Sequence, residues 1–493
     1  MTSVGLSLLQ NNYSDVSTNI GHYLYYAKEN PYSFFFYVLR RNTNFFSTHI
    51  NICNETINLN NLDKLIEIDI KKQISGDVDL LNNLYISFYL PDIYSNDKYK
   101  FKWVENIGAI LIKEAIFTIN GQDIDSLTGE WLCVWNELSS PVVDDFNKMA
   151  GNIPEINNPK SSNNIIRIKN NIINDFDYPS SDINNPSIPG KWVSVQLPFW
   201  FTKAPNLALP IFGAVWSENT YYLKITFTNI EKLYTVYSDI YNMNISPSHY
   251  NTLYNEQISI LNFTKKDTVP LLKINIIATC IILDISEKTE LANNCFNGIE
   301  YLYESFRILN NSYNNSITGN IVINIPPKFL INKIIWTLKR SDSLTNFNDS
   351  LNYSYSIPFN NEKSIMKAAS ITWRNSNTYL EENGSFYFNQ IQPYQYFKTI
   401  PKQGIYLYSF SLLPDKSIHS GSYNSSSSSI DEGMKINMSF NNYEPSILDK
   451  MWEKKFNRKY IDNYTVNIDN TLYLAEYNFL IILNNIIKKK YVN

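Results

Sequence analysis

Short apolar or alternating runs, separated by clusters of polar turn residues, recur along the whole chain. In YYLKITF (221–227), Leu223, Ile225 and Phe227 occupy every second position and would share one face of a strand. Tyr, Ile, Phe, Val and Thr dominate these runs, as is typical of strands. Further strands are predicted at 84–90, 109–119, 192–201, 272–285, 320–325, 329–338, 405–413 and 434–440.

Helical periodicity is rare. GEWLCVWNEL (129–138) predicts one helix, and 287–306 contains a short helical stretch. Many short strands with few helices favour antiparallel sandwiches. A break after the strand ending at Asp284 leaves two comparable halves, so the pattern predicts two β-sandwiches in tandem.

Polar segments rich in Asn, Ser and Asp separate the predicted strands. The longest are 141–190, 231–270 and 340–362, which we expect to be long loops. SGSYNSSSSSIDEG (420–433) could hold a nucleophilic serine, but no base with a recognisable spacing accompanies it. A polar surface loop is therefore the favoured interpretation.

The aromatic cluster NPYSFFFYVLRRNTNFF (30–46) admits four interpretations: a signal segment, a membrane-touching element, a nucleic-acid patch or a first strand. The preceding residues become polar too early for a signal peptide. No apolar run approaches the roughly 20 residues of a membrane span, which predicts a soluble chain. Arg40 and Arg41 are expected to flank a first strand rather than to bind a genome.

Composition and charge narrow the classes of protein to which this chain could belong. At 493 residues the chain is long enough for two or more domains. The net charge of −4 gives no general attraction to nucleic acid, so any basic patch must be local. The three lysines at 488–490 could form such a patch, but three lysines near a chain end are usually solvated.

Candidate chemistry is sparse. Four widely spaced cysteines, without a C-x-x-C pair, predict buried free thiols rather than a zinc site or a disulfide framework. None of the common catalytic, phosphate-binding or dinucleotide-binding motifs is present. We therefore predict no catalytic, cofactor-binding or metal-binding residues and no cofactor. The cysteines are Cys53, Cys133, Cys280 and Cys295, and the histidines are His22, His49, His249 and His419.

One fragment resembles an enzyme site. In INGQDIDSLTGEW, Asp123, Asp125 and Glu130 could be paired carboxylates or a calcium loop, although the EF-hand spacing is missing. The same stretch predicts a hairpin turn, since Gly121 can adopt positive φ between two apolar runs. The hairpin is the favoured interpretation. Sequons such as those at Asn12, Asn54 and Asn383 are expected by chance in so Asn-rich a chain.

Six ordered stretches then point to one family. The most specific is 384–426, with QPY at 392–394, GIYLYSF at 404–410 and SGSYNSS at 420–426. The others are 31–45, 107–138, 195–225, 280–306 and 475–493. Together they resemble the major capsid proteins of nucleocytoplasmic large DNA viruses. The chain departs from the family's pattern at its usual Gly-Gly turn, which is Asn120-Gly121 here, in the reduced Arg-rich segment after Leu283-Asp284, and in the glycine-free closing strand.

The resemblance implies an all-β fold: two tandem eight-stranded antiparallel jelly rolls with long loops and a few short helices. We expect an N-terminal arm (1–29), a first jelly roll (30–287), a linker (288–298) and a second jelly roll (299–493). The long loops would form outer towers, and 1–29 would lie on the inner side of a shell.

The implied function is structural and not enzymatic. Three chains would form a pseudo-hexagonal capsomer that tiles the icosahedral shell of a virion and is made in the host cytoplasm. Expected partners are further copies of the chain, minor capsid and penton proteins, and an inner viral membrane, without sequence-specific nucleic-acid binding. Two alternatives stay open: an assembly scaffold or minor capsid protein of the same fold, and a carbohydrate-binding or carbohydrate-cleaving β-sandwich protein.

Overall fold

The computed structural model is built mainly from β-strands. It describes residues 45–74, 78–95, 100–140, 142–157, 186–211, 219–264, 268–314, 321–325, 330–355, 364–373, 377–414, 420–424, 433–441, 467–484 and 486–490. The first eight principal strands are β1 (Phe45–Asn58), β2 (Ile66–Asp69), β3 (Leu80–Leu90), β4 (Ile112–Ile119), β5 (Gln122–Leu127), β6 (Lys191–Gln196), β7 (Tyr221–Phe227) and β8 (Leu271–Leu283). The next eight are β9 (Ile299–Asn314), β10 (Ile321–Ile325), β11 (Leu330–Arg340), β12 (Met366–Trp373), β13 (Asn377–Gly384), β14 (Ile405–Ser409), β15 (Met434–Phe440) and β16 (Asn467–Leu483).

The first eight strands form two antiparallel sheets. One has the order β1-β8-β3-β6 and the other β2-β7-β4-β5. The first strand thus pairs with the last and the second with the seventh, as in a long hairpin rolled into two layers. This is a jelly roll, an arrangement that reduces the number of open strand edges.

The second eight strands repeat the same order. Their sheets are β9-β16-β11-β14 and β10-β15-β12-β13, so each position corresponds to the strand eight places earlier. In the part of the chain that the structure describes, no strand pairs with a strand of the other half. The prediction of an all-β fold with two tandem jelly rolls is confirmed.

Short strands extend this framework. Leu209–Pro210 pairs with β3, Tyr423–Asn424 with β11, and Ile486–Lys489 with β16. Phe101–Trp103, Tyr234–Ser238 and Met243–Ile245 form a separate three-stranded sheet. The lysine-rich 488–490 segment therefore belongs largely to a strand.

The alternating pattern sets which side chains enter the core. Along β7, Tyr221, Leu223, Ile225 and Phe227 are buried, and the residues between them are half-buried. The period of two puts these four side chains on one face, as predicted. The face packs into the first core, where Phe88 meets Phe227 edge to face at 6.2 Å.

The predicted hairpin at Gly121 is confirmed. Strands β4 and β5 pair up to Ile119 and Gln122, which leaves Asn120 and Gly121 as the two loop residues. Both have positive φ, at 52° and 75°. Two-residue loops of this kind match the twist of antiparallel strands and favour Asn-Gly.

Helices occupy the connections between strands. They are α1 (Ile70–Gln73), α2 (Ile107–Ile110), α3 (Gly129–Ser139), α4 (Val143–Met149), α5 (Pro154–Asn157), α6 (Pro247–Tyr254), α7 (Ile285–Asn297), α8 (Ser341–Phe347) and α9 (Gln392–Phe397). A π-helical turn at Tyr387–Ile391 precedes α9, and 3₁₀ turns lie at Trp200–Thr202, Pro205–Leu207, Ile230–Lys232 and Ile260–Phe263. Helix α3 confirms the helix predicted at 129–138, and α7 covers much of the short helix predicted after residue 287.

Two expectations need correction. The segment 231–270 is more ordered than the predicted loop, because it holds two short strands, α6 and a 3₁₀ turn. The run 192–201 is strand only to Gln196, after which Leu197 and Pro198 lead into a 3₁₀ turn at Trp200. Proline cannot donate to a strand ladder, which accounts for the early end.

Several predicted features lie wholly or partly outside the described residues. Of the aromatic cluster, Phe45 and Phe46 are described and begin β1, whereas Arg40 and Arg41 are not. The arm 1–29, His22, His419, most of 158–190 and most of the serine-rich loop are likewise outside. The predicted linker 288–298 overlaps α7, and the domain boundaries stay a prediction.

Within the described residues, no helix is both long enough and apolar enough to span a membrane.

A matched pair of glycine substitutions tests this fold. Gly404 has φ +90°, and a Cβ there would lie 2.2 Å from the carbonyl oxygen of Tyr353, whereas Gly121 at φ +75° has open space around it. We expect Gly121→Ala to cost about 1 kcal/mol for its backbone conformation. Gly404→Ala adds a clash with backbone and should cost roughly 3 kcal/mol or more. Equal falls in melting temperature by calorimetry would contradict this packing.

Candidate functional site at the junction of the two jelly rolls

The outer face of one sheet of the second jelly roll packs against the first. Strand β11 is almost wholly buried, which requires cover on both of its faces. Ile334, Trp336 and Leu338 belong to the second core, while Ile335 belongs to the core cluster of the first jelly roll. Tyr473 and Ala475 of β16 also belong to that first cluster. We call this doubly covered face of β9-β16-β11-β14 the junction face.

Helix α3 is the main element of the first jelly roll at the junction. Its N-cap is Thr128, whose side chain accepts a hydrogen bond from the Trp131 backbone N–H at 3.2 Å. The next residue is Gly129, where a Cβ would lie only 2.1 Å from the Ala109 carbonyl oxygen. The helix therefore sits too close to α2 for any larger residue at this position.

Aromatic side chains of α3 make the apolar contact. The ring of Trp131 lies 4.1 Å from Phe306 and 4.7 Å from Tyr473, centroid to centroid. Trp135 meets Phe397 edge to face at 5.9 Å. Trp131 is fully buried by these contacts, so the junction has the packing of a protein core.

A group of buried charges lies beside the aromatic contact. Lys203 of the first jelly roll donates to Glu304 of β9 at 2.9 Å, and Lys333 of β11 pairs with the other carboxylate oxygen. Asn332 Nδ2 also donates to Glu304, at 2.8 Å, and Lys333 donates to the Pro414 carbonyl at 3.0 Å. The Lys333 side chain is 0% exposed, so its charge depends on these partners.

The environment of Glu304 sets its ionisation. Burial alone would raise the pKa of this carboxyl, but the ammonium groups of Lys203 and Lys333 outweigh burial and lower the pKa to about 2. Both ammonium groups also lie over aromatic rings, with Lys203 Nζ 4.7 Å from the Phe306 centroid and Lys333 Nζ 5.3 Å from that of Trp135. Glu304 thus stays ionised, and its pair with Lys203 joins the two jelly rolls.

Two further ion pairs join α3 to the second jelly roll. Glu130, at the start of the helix, pairs with Lys339 of β11 at 2.7 Å. Glu137, near its end, pairs with Lys402 at 3.4 Å. The two carboxylates are seven residues apart, or about two helical turns, and so project from the same side.

The three candidate carboxylates differ in exposure and in their partners. Asp123 is exposed near the hairpin turn, Asp125 is buried, and Glu130 pairs with Lys339. Asp125 Oδ2 accepts a hydrogen bond from the Trp200 backbone N–H at 3.2 Å. Burial raises the pKa of Asp125 to about 7, against the lowering effect of Lys203. Among the described residues, no three His, Cys, Asp or Glu side chains could hold a metal ion together.

A polar cleft of about 310 Å³ opens between the two halves. Asp123, Asp125 and Lys489 contribute to its lining together with Arg307 and Glu476, which form an ion pair at 2.6 Å. Burial raises the pKa of Glu476 to about 7 even though Arg307 lowers it. The lysine segment 488–490 thus contributes Lys489 to the junction.

The other candidate side chains have structural environments. All four cysteines are free, with Cys53 half-buried and the other three buried, as predicted. His49 Nδ1 lies 3.1 Å from Thr279 Oγ1 across the β1–β8 pair. His249 stacks on Tyr241 with ring centroids 5.7 Å apart, and burial lowers its pKa.

Sequence reasoning missed the junction itself. Lys333, Thr337 and Lys339 alternate with Ile334, Trp336 and Leu338 along β11, which is also the pattern of a strand with one solvated face. Ile335 on the polar side is the one signal in the sequence that this face is covered.

Replacing Glu304 tests the buried charges. Glu304→Gln leaves two cations without their carboxylate, one of them fully buried, and we expect a cost of about 3–5 kcal/mol in unfolding free energy. Glu55→Gln is the control, because its pair with Lys64 is exposed and worth at most about 1 kcal/mol. Denaturant unfolding measures both variants at pH 7. A Glu304→Gln cost no larger than the control's would refute the role of this group.

The fold matches known viral capsid structures. The quasi-atomic model of the PBCV-1 virus capsid aligns with a TM-score of 0.63 at 17% identity, covering 94% of this chain and 100% of that one. The Faustovirus major capsid protein aligns with a TM-score of 0.58 at 11% identity, covering 98% and 97%. Likeness at these identities establishes the double jelly-roll fold.

Curated relatives match over shorter regions. "Probable capsid protein 4" of Acanthamoeba polyphaga mimivirus is 29% identical over 221 residues, which is 43% of this chain and 37% of the relative. The "Major capsid protein" of Phaeocystis pouchetii virus is 26% identical over 175 residues, or 32% and 31%. These alignments span less than half of each relative's length.

Two family models cover consecutive parts of the chain. "Major capsid protein N-terminus" matches residues 33–263, and "Large eukaryotic DNA virus major capsid protein" matches residues 299–487. The matched ranges together span most of the sequence, the first containing β1 to β7 and the second β9 to β16. The chain therefore belongs to the major capsid protein family of large eukaryotic DNA viruses.

Proposed function

We propose that this chain is the structural subunit of an icosahedral virion shell and that three copies form one capsomer. The observation that carries this proposal is the repeated strand order of the two jelly rolls, covalently linked and joined by a buried junction. Three such chains present six similar blocks around a threefold axis. A pseudo-hexagonal outline follows, and hexagons can tile flat facets.

Association is the mechanism in this proposal. Packing of three chains around a closed threefold axis buries apolar surface within each trimer. Weaker contacts between trimers then extend the array. Exposed apolar side chains on the isolated chain supply such surface, among them Trp192, Phe386, Tyr394 and Ile400. The role requires no catalytic step, and the buried charges at the junction serve to hold the subunit together.

The remaining partners belong to the same proposal. Minor capsid and penton proteins would bind trimers at the edges and vertices of facets, and an inner viral membrane would lie on the side of residues 1–29. The chain would be made in the host cytoplasm and would reside in the virion. Its net charge of −4 does not favour direct genome binding.

The mass of the native assembly tests the proposal. Light scattering or native mass spectrometry of the purified chain should give three times the monomer mass of 57.3 kDa. A stable monomer at micromolar concentration would count against the capsomer. A scaffold or minor protein of the same fold would also trimerise, so abundance separates the two roles: the shell subunit must be the dominant protein of purified virions.

Proteolysis of intact particles tests the orientation. We propose that 141–190, 231–270 and 340–362 contain the outer tower loops and that 1–29 faces inward. A protease added outside should cut within those loops first, while the same protease acting on released trimers should cut both regions. Earlier cleavage within 1–29 of intact particles would reverse the assigned orientation.

A further inference from the structure

The strand Ile486–Lys489 pairs with β16 along one side and meets side chains of the first jelly roll along the other. We call it the edge strand. Backbone groups of successive residues in such a strand point alternately toward and away from the paired strand. The N–H and C=O of Ile487 and the N–H of Lys489 point away from β16, where an uncovered edge would be open to other strands.

Three side-chain amides cover this open side. Asn120 Nδ2 donates to the Ile487 carbonyl at 3.0 Å, and Asn219 Oδ1 accepts from the Ile487 backbone N–H at 2.9 Å. Gln122 Oε1 accepts from the Lys489 backbone N–H at 3.4 Å. The amides take the place of a neighbouring strand, while the Ile487 side chain, 3% exposed, packs into the core cluster of the first jelly roll.

Asn120 lies at the centre of this contact. Its backbone N–H donates to the Thr220 carbonyl at 3.0 Å, and its Oδ1 accepts from the Thr220 N–H at 2.9 Å. Its Nδ2 donates a second hydrogen bond, to Asn219 Oδ1 at 2.6 Å. Both polar atoms of the side chain are therefore bonded, although the residue itself is exposed to solvent in the hairpin loop.

The residue after Asn120 makes this amide chemically reactive. Gly121 has no side chain to keep its backbone nitrogen away from Asn120 Cγ. Attack by that nitrogen forms a C–N bond and closes a five-membered succinimide, while Nδ2 leaves as ammonia with the proton from the Gly121 N–H. Water then opens the ring to aspartate or isoaspartate. Water has access here, since a Cβ on Gly121 would have no atom within 4 Å.

We propose that Asn120 is a deamidation site protected by the edge strand, and that deamidation of Asn120 in turn releases the edge strand. Departure of Nδ2 as ammonia requires its hydrogen bonds to Ile487 and Asn219 to break first. The bond to Ile487 exists while the edge strand is bound, and the Ile487 N–H also holds Asn219 in place. The reactivity of the amide is thereby coupled to the position of the strand.

The product cannot restore the contact. A carboxylate has acceptor atoms only, whereas the Ile487 carbonyl and Asn219 Oδ1 both accept from Nδ2 of the intact amide. If the Asn219 amide turns to donate to the new carboxylate, the Ile487 N–H loses its acceptor as well. Each arrangement leaves at least one backbone group of Ile487 without its partner, so deamidation weakens the attachment of the edge strand.

The rate of deamidation in the full chain tests the protection. Ile487→Asp puts a charge where an apolar side chain packs and should detach the edge strand. Aspartate and isoaspartate at position 120 should then accumulate about tenfold faster than in the wild type, because the hydrogen bonds that hold the amide are lost. Ile486→Asp is the matched control, since Ile486 is the neighbouring residue and 38% exposed, and it should leave the rate unchanged. Peptide mass spectrometry after incubation at neutral pH measures the products.

Asn383 is the internal reference for these rates. It also precedes a glycine, but its Nδ2 donates to the Glu381 carbonyl at 2.9 Å, a contact that does not involve the edge strand. An unchanged rate at Asn120 in Ile487→Asp overturns the proposal. An equal rise at Asn120 and Asn383 also overturns it, because the protection then comes from the fold as a whole. Ile487→Ala gives the same comparison where Ile487→Asp does not fold.

Hydrogen exchange tests the reverse step. Asn120→Asp reproduces one product of the reaction and should increase amide exchange in Ile486–Lys489 several-fold, whereas Asn383→Asp should leave this exchange unchanged. Equal exchange in Asn120→Asp and in the wild type would overturn the coupling. Both experiments concern contacts within one chain, so a failure here leaves the proposed capsid role untouched.

Discussion

Burial of one sheet on both faces is the constraint on which the rest of the structure depends. The sheet β9-β16-β11-β14 faces its own core on one side and α3 of the first jelly roll on the other. A face that must be buried yet carries Lys333 and Glu304 needs complementary charges on the opposing surface, since unpaired buried charges are costly. Lys203 and Glu130 supply them, and Trp131 fills the space between. The two jelly rolls are therefore held together by packing as well as by the covalent chain.

Much of the secondary structure could be predicted from local pattern. The alternation in β7, the Asn120-Gly121 turn and the helix at 129–138 each depend on residues close together in sequence. Strand order could not be predicted in this way, because Phe45 pairs with Leu283 and Ile299 with Ile482. Such pairings depend on the whole fold and not on local propensity. Family resemblance supplied the topology that pattern could not.

The junction shows where alternation is ambiguous. A polar face on a strand predicts solvent, yet Lys333 and Thr337 are fully buried because a second domain covers them. The neighbouring carboxylates Asp123, Asp125 and Glu130, close in sequence, are also divided among an exposed, a buried and an ion-paired environment. Asp123 and Asp125 would share a face of a regular strand, but the pairing of β5 with β4 shifts register between them. Glu130 lies on helix α3 and not on the strand. Of these candidate carboxylates, Glu130 instead helps to hold the two jelly rolls together through its ion pair with Lys339.

The two carboxyls with raised pKa make the stability of the folded chain depend on pH. Asp125 and Glu476 titrate near 7 in the folded chain and near 4 when unfolded, so folding takes up protons between these values. Their contribution to stability is complete below about pH 4 and is lost as pH rises to about 7. Glu304 acts oppositely, losing its contribution as pH falls through about 2. The combined contribution of these three carboxyls to the stability of the fold is thus greatest in mildly acidic solution, and the part due to Asp125 and Glu476 is lost by about neutral pH.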